Sequence, residues 1–260
     1  MAEAAIRDEA ACRGCQGLDG CRSAFGGGFR VVLGERGYTC APCRFLVAQR
    51  RQAAVDRALG GPGLVAGDAG FGGYAPVTAT QSRALSRCRQ IAASVERGEP
   101  VRGVVLLGPP GIGKTRLARA VAAAAVAAGR TSAFVCVPDL LAMLRQDARE
   151  GTDAAVDAAA AADVLVLDDL GQERVTEFAR EQLWRVLNRR SDRPRISTLA
   201  TGNATLDELA ERLGDAIVSR LVGLAEPLPV DGPDRRVSPS AAGRHSPGKA
   251  PGSVETGGVR

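Results

Sequence analysis

The stretch at residues 108–115, with the sequence GPPGIGKT, constrains the fold of this chain more than any other. It fits G-x-x-x-x-G-K-[ST], a pattern typical of loops that hold the phosphates of a nucleotide. The apolar run at 104–107 comes directly before it and predicts a buried strand, and residues 116–128 predict a helix. A strand, a glycine loop and a helix in this order predict a phosphate-binding turn at the end of a parallel strand.

Each residue type in this loop suits a triphosphate. The three glycines allow backbone torsions and a close approach that a side chain would obstruct. Lys114 supplies a mobile charge to the β and γ phosphates, and Thr115 offers its hydroxyl to Mg²⁺. Only two of the 34 Lys and Arg residues are lysines, Lys114 and Lys249, which indicates a specific need for lysine in the loop. The predicted nucleotide-binding residues of the loop are Gly108, Pro109, Pro110, Gly111, Ile112, Gly113, Lys114 and Thr115.

The length and composition predict one sizeable core with a small appendage. The chain has 260 residues, of which 45% are hydrophobic and 3% aromatic, so the core must be built from Val, Leu, Ile and Ala. No apolar run approaches the roughly 20 residues needed to cross a bilayer, and the first residues lack the apolar region of a signal peptide. We therefore expect a cytoplasmic protein without a membrane partner. The net charge of +5 permits a nucleic-acid partner but does not require one.

Five of the seven cysteines fall within the first 43 residues. Two C-x-x-C pairs, Cys12 with Cys15 and Cys40 with Cys43, suit a tetrahedral zinc site, because each pair delivers two thiolates from one tight turn. Cys21 lies between the pairs and could replace Cys40 or Cys43 as a ligand. Disulfides and incidental thiols are the alternatives. Since this region has few large apolar residues, metal binding would supply folding free energy, and we predict a structural zinc module.

The composition divides the chain into four segments. The predicted zinc module covers 1–59, and a glycine-rich linker covers 60–76. The main domain covers 77–236. The tail at 237–260 is rich in Ser, Pro, Gly and Ala and is predicted to be disordered. It contains the only histidine, His245, to which no role is assigned.

Apolar runs alternate with helical periodicities through the main domain. Strands are predicted at 104–107, 133–137, 164–167, 196–201 and 228–230. This alternation predicts an α/β fold, in which a parallel sheet carries helices on both faces.

Two acidic residues, Asp168 and Asp169, follow the third predicted strand. Because the functional sites of parallel sheets gather at the carboxyl ends of the strands, we assign Asp168 to Mg²⁺ and the nucleotide, and Asp169 to the attacking water. The alternative is a pair of solvated turn acids. The four apolar residues before the pair, in a chain that also has a phosphate loop, favour the functional interpretation.

Polar residues after the fourth predicted strand complete the candidate set. We expect this strand to lie between the first and the third, so Asn203 at its end would reach the γ-phosphate and position water. In isolation Asn203 would be interpreted as a turn residue. Thr205 and Glu208 have the spacing of a capping box. Arg220, further along, has by itself the character of a surface charge.

Residues 71 to about 236 resemble the helicase-loader and transposition-helper ATPases of the AAA+ class, of the DnaC, DnaI and IstB type. The segments that carry the resemblance are the loop at 108–115, VPDLL at 137–141, LVLDDLGQER at 165–174, ATGN at 200–203, LDEL at 206–209, SRL at 219–221 and DRR at 234–236. The cysteine pairs are similar to the N-terminal zinc-binding region of DnaI-type loaders. The resemblance implies a P-loop AAA+ fold with a small N-terminal zinc module.

The resemblance also implies roles for particular residues. Asn203 would be the sensor-1 residue, and Arg220 would be the arginine finger that acts on a neighbouring subunit. Arg235 or Arg236 would contact the nucleotide. The family often has Ser or Thr before the sensor asparagine, where this chain has Gly202, but the amide itself is kept. The predicted catalytic residues are Asp169, Asn203 and Arg220.

The implied activity is hydrolysis of ATP with Mg²⁺, and the implied second metal is zinc. We expect a helicase loader in DNA replication that binds a DnaB-type replicative helicase and single-stranded DNA and self-associates through the ATPase domain. One alternative is an IstB-like transposition helper that acts on duplex DNA with a transposase. Another is a nucleotide-switched zinc adaptor with little turnover.

Overall fold

The computed structural model describes residues 29–34, 37–42, 44–61, 63, 70–146, 152–172, 176–193 and 196–236. The strands, numbered in chain order, are β1 Phe29–Gly34, β2 Gly37–Pro42, β3 Gly103–Leu107, β4 Ser132–Cys136, β5 Val164–Leu170, β6 Ser197–Gly202 and β7 Ala225–Pro229. The helices are α1 Arg44–Ala58, α2 Ala79–Arg97, α3 Lys114–Ala127, α4 Val137–Gln146, α5 Thr152–Ala161, α6 Glu177–Ser191, α7 Leu206–Leu213 and α8 Asp215–Leu224, with a short 3-10 helix at Phe71–Gly73.

Five strands form a parallel sheet in the order β4-β5-β6-β3-β7, which confirms the predicted fold class. β6 lies between β3 and β5, as expected for the fourth strand of the main domain. The last strand, β7, begins three residues before the predicted 228–230. The sequence pattern predicted a shorter strand because Pro227 and Pro229 are unfavourable within strands. They are tolerated because β7 is an edge strand, which pairs on one side only.

The core lies on both faces of the sheet, because successive strand residues point to opposite sides. Val104 and Leu106 pack in one apolar cluster with α2 and α3. Val105 and Leu107 pack in the other, together with residues of α4 to α8. In the part of the chain that the structure describes, no helix combines the length and the apolar character required to cross a bilayer.

Helix α1 docks on the edge strand β4. The side-chain amide of Gln52 donates to the carbonyl oxygen of Ser132 at 2.8 Å and accepts from the Ser132 N–H at 2.7 Å, as a neighbouring strand would. Val55 is buried in the adjoining core cluster. Tyr74, from the segment expected to be linker, is 5% exposed and belongs to the cluster on the other face. Side chains before the segment at 64–69 (Gln52 and Val55) and after it (Tyr74) therefore all pack against the parallel sheet and its helices.

Arg190 is completely buried at the end of the sheet opposite the phosphate loop. Its guanidinium donates to the Thr198 hydroxyl at 2.8 Å, and also to the main-chain oxygens of Ala159, Ala160, Ala162 and Ser197 at 2.6–3.2 Å. These acceptors belong to the end of α5, the turn after it and the start of β6. Burial lowers the pKa of Arg190, but a side chain surrounded by oxygen acceptors is best satisfied when it is charged.

We expect Arg190→Met to lower the free energy of unfolding by about 3 kcal/mol, because several buried carbonyl oxygens would lose their donor. Urea unfolding followed by circular dichroism measures this change. Arg189→Met is the matched control, since Arg189 is adjacent and makes an ion pair with Asp157 near the surface, which is worth about 1 kcal/mol or less. Equal losses in the two variants would contradict the structural role of Arg190.

Candidate nucleotide-binding site

The phosphate loop connects β3 to α3, and its glycines are required by close contacts. Gly111 and Gly113 have φ angles of 77° and 98°, in the left-handed region that favours glycine. A Cβ atom on Gly111 would overlap the carboxylate of Asp234, and one on Gly113 would overlap the ring of Tyr74. The loop is thus held between Tyr74, which precedes the main domain, and Asp234, which lies near its end.

Lys114 is buried, at 6% exposure, and its ammonium group lies over the loop. It donates to the carbonyl oxygens of Gly108 and Pro109, both at 2.7 Å, and to Oδ1 of Asn203 at 2.8 Å. Burial lowers the pKa of Lys114, while the negative charges of Asp169 and Asp168 act in the opposite direction. A bound triphosphate would add negative charge beside the ammonium group and favour its protonated form.

The acidic pair sits at an irregularity in the sheet. The pairing of β5 with β6 shifts register between Leu167 and Leu170, and Asp169 has a φ of 59°. Asp is among the few non-glycine residues that tolerate this left-handed conformation. The shift separates the two carboxyl groups, so that Asp168 is buried whereas Asp169 lines the open cleft.

Thr201 in β6 organises both acidic residues. Its hydroxyl donates to Oδ1 of Asp168 at 2.6 Å and accepts from the N–H of Asp169 at 3.1 Å. No role for Thr201 was predicted from the sequence. The available signal was a hydroxyl residue within an apolar strand that was expected to lie beside the strand ending at Asp168.

Asp168 and Thr115 form the oxygen pair that suits Mg²⁺. Their side chains are hydrogen-bonded to each other, because the start of α3 lies beside the end of β5. Burial raises the pKa of Asp168, and the hydrogen bonds from Thr201 and Thr115 lower it. A carboxylate and a hydroxyl are hard oxygen ligands, and Mg²⁺ typically uses one or two of these together with phosphate oxygens and water. The residues present therefore fit the predicted metal.

A cleft of about 690 Å³ lies over the phosphate loop. Lys114, Thr115, Asp169 and Asn203, all predicted site residues, line this cleft. Gln172 was missed. Its amide donates to Oδ1 of Asp169 at 2.9 Å and holds that carboxylate at the cleft wall. The cleft also contains three arginines, Arg116, Arg119 and Arg236, which suits a polyanionic ligand.

The two arginines near the end of the domain take different positions. Arg235 stacks over the ring of Tyr74 at 4.5 Å and donates to Oε1 of Gln81 at 3.1 Å and to the carbonyl oxygen of Ala75. Tyr74 in turn donates from its hydroxyl to the carbonyl oxygen of Ile112 in the loop, at 3.2 Å. Arg236, not Arg235, lines the cleft.

The remaining predicted site residues lie away from the cleft or outside the described residues. Arg220 is exposed on α8 and does not line the cleft. Cys40 lies in β2, and the residues outside the described part are Cys12, Cys15, Cys21 and Cys43. Within the described residues, no three His, Cys, Asp or Glu side chains gather as a metal site. The zinc module therefore stays a prediction.

The sheet order and the cleft together define the class of protein. A phosphate loop after β3, an acidic pair at the end of β5 and an asparagine after the intervening β6 form the site of a P-loop protein of the AAA+ class. The crystal structure of the DnaC helicase loader is 31% identical to this chain, with a TM-score of 0.56, and the match covers 64% of this chain and 98% of that one. The crystal structure of DnaI is 26% identical, with a TM-score of 0.57, and the match covers 65% and 90%.

The family follows from the sequence comparisons. A family model described as IstB-like ATP binding protein matches residues 78–241. The chain belongs to this family. The insertion sequence IS21 putative ATP-binding protein of Pseudomonas aeruginosa is 34% identical over 151 residues, which are 56% of this chain and 55% of that protein. The insertion sequence IS5376 putative ATP-binding protein of Geobacillus stearothermophilus is 31% identical over 117 residues, 45% and 46% of the two chains. The chain thus spans about half the length of the curated relatives it matches.

Proposed function

We propose that this protein binds Mg-ATP in the cleft and hydrolyses it to ADP and phosphate. The observation that carries the proposal is the convergence of Lys114, the Asp168–Thr115 pair and Asn203 at the ends of three adjacent strands. Loop amides and Lys114 would bind the β and γ phosphates. Asp168 and Thr115 would hold Mg²⁺, which neutralises charge that develops on the phosphate oxygens.

Asp169 and Asn203 would prepare the attacking water. The Asp169 carboxylate can accept a hydrogen bond from a water molecule on the γ-phosphate side of the cleft. Lys114 can only donate, so it must face the carbonyl oxygen of the Asn203 amide, and the amide NH₂ is then available for the water or the γ-phosphate. The water oxygen forms a bond to phosphorus as the bond to the β–γ bridging oxygen breaks.

We infer that Arg220 acts on the site of a neighbouring subunit. It is exposed on α8 and outside the cleft of its own chain. An arginine supplied in trans stabilises the charge of the transition state, so hydrolysis would depend on self-association.

The biological role that we propose is that of a helicase loader in DNA replication, which binds a DnaB-type helicase and single-stranded DNA. The likeness to the DnaC helicase loader over nearly all of that structure supports this role. The two C-x-x-C pairs favour it further, because they predict a zinc module of the DnaI type before the ATPase domain. A cytoplasmic location follows from the same role.

The second candidate is a transposition helper that acts on duplex DNA with a transposase. It is favoured by the family to which the chain belongs and by the insertion-sequence relatives. The ATPase site serves both roles equally, since both require an ATP-dependent assembly on DNA. The partner therefore distinguishes the two candidates.

Native mass measurement of the intact, zinc-loaded protein with Mg-ATP distinguishes these roles. We expect a complex with a DnaB-type helicase and single-stranded DNA that is lost when ATP is omitted. Assembly on duplex DNA without any helicase complex would instead favour the transposition helper. A protein that binds Mg-ATP but assembles with neither DNA nor helicase would contradict both.

A further inference from the structure

Arg119 stands between two cavities. It lies on α3 one helical turn after Thr115, and therefore on the same face of the helix. It lines the phosphate cleft together with Lys114 and Asp169. It also lines a second cavity of about 490 Å³, between the end of α1 and the junction of β4 with α4. We call this cavity the α1 groove; its other walls include Gly60, Gly61, Phe134, Asp139 and Met143.

Aromatic packing and charge position the Arg119 side chain at the wall of the phosphate cleft. Its guanidinium carbon lies 4.5 Å from the centroid of the Phe134 ring, in β4. Stacking of this kind orients the planar guanidinium. Its charge also acts on the Asp168 carboxylate. An arginine held in this orientation presents several donors to a polyanion in the cleft, and a bidentate pair to phosphate oxygens is its preferred mode.

The end of α1 forms the wall behind Arg119 and Phe134. Gly61 donates from its N–H to the carbonyl oxygen of Asp56 at 2.8 Å, so the residues that enter the groove are fixed to the helix. The backbone of Gly63 packs so closely on β4 that an added Cβ atom would overlap the carbonyl oxygen of Phe134. The two Gln52–Ser132 hydrogen bonds fix α1 itself. Displacement of α1 would therefore move Gly60, Gly61 and Gly63 away from the groove that Arg119 and Phe134 also line.

We propose that Arg119 is a further phosphate-contacting residue whose position depends on the docked helix α1, so that the N-terminal segment sets the affinity for nucleotide. This inference depends on the proposed nucleotide site. With α1 docked, the Arg119 side chain is held ready for the phosphates and loses little entropy on binding. Coupling between two sites is reciprocal, so bound ATP would also favour the docked position of α1.

A double-mutant cycle on the full chain tests this inference, with calorimetric titration of Mg-ATP as the measurement. Arg119→Gln should weaken binding about tenfold, through loss of charge-assisted hydrogen bonds. Gln52→Ala should weaken it roughly threefold in the wild-type background and should have no further effect in the Arg119→Gln background, because the two act through one contact. Arg97→Gln is the control, since Arg97 is exposed on α2 and pairs with Glu99; it should bind as the wild type does.

The possible results distinguish three things: the phosphate contact of Arg119, its dependence on α1, and the nucleotide site itself. Wild-type affinity in Arg119→Gln overturns the phosphate contact while leaving the proposed function intact. Additive losses in the double variant overturn the dependence on α1. Absence of Mg-ATP binding by the wild-type protein overturns the nucleotide site and this inference together. Thermal unfolding without nucleotide verifies that the variants are folded. If Arg119→Gln is not folded, Arg119→Lys is used in its place. We expect a smaller loss of affinity for Mg-ATP in this variant, because lysine keeps the charge but lacks the planar guanidinium.

Discussion

Replacing Lys114 with alanine is expected to weaken the binding of Mg-ATP by about 100-fold or more, which corresponds to about 3 kcal/mol. The ammonium group is buried over the phosphate loop, and its three hydrogen bonds to Gly108, Pro109 and Asn203 hold it where the β and γ phosphates would lie. No other lysine exists in the main domain to take its place. Calorimetry or the fluorescence of a labelled nucleotide measures the loss.

The chain offers a matched control for this substitution. Lys249, in the segment at 237–260, is the other lysine, and Lys249→Ala should leave the affinity for Mg-ATP unchanged. The circular dichroism spectrum of Lys114→Ala should match that of the wild-type protein, because the phosphate loop contributes few side chains to the apolar core. If Lys114→Ala retains the wild-type affinity, the cleft is not the nucleotide site, and the proposed ATPase activity has to be abandoned.

Asp169→Asn is expected to keep nucleotide binding and to lower the rate of hydrolysis about 100-fold, as the loss of a group that orients and polarises water would. Asparagine has the same shape and tolerates the left-handed backbone found at this position, where φ is 59°. The substitution therefore removes charge without straining the turn. Phosphate release at saturating ATP measures the rate, and titration of ATP measures the affinity. An undiminished rate would remove Asp169 from the mechanism.

The same variant tests whether Arg220 acts in trans. Arg220→Ala should also bind ATP and hydrolyse it slowly. In an equimolar mixture, an Asp169→Asn subunit can supply Arg220 to the intact acidic pair of an Arg220→Ala subunit. Hydrolysis by the mixture should then exceed that of either variant alone. A mixture no more active than its components, at concentrations where the subunits associate, would assign Arg220 to its own chain or to no catalytic role.

The principal elements of the fold were predictable because their signals are local. The phosphate loop, the apolar strands and the capping box of α7 each lie within a few consecutive residues, and the Thr205–Glu208 box forms as its spacing predicted. By contrast, α6 was not assigned from the sequence, because 6 of its 15 residues are charged. Its apolar residues Leu183, Val186 and Leu187 become informative only when they are found packed in the core.

Local pattern was enough to identify the loop, the acidic pair and Asn203 as candidates for one cleft, because parallel strands bring their carboxyl ends to one edge of the sheet. Pattern could not identify Thr201 as the residue that binds both Asp168 and Asp169, nor distinguish Arg236 from Arg235, nor place Arg119 against Phe134. Each of these contacts joins residues far apart in the chain. Their geometry is set by the strand order, the register shift in β5 and the packing of helices, which arise only when the whole domain folds.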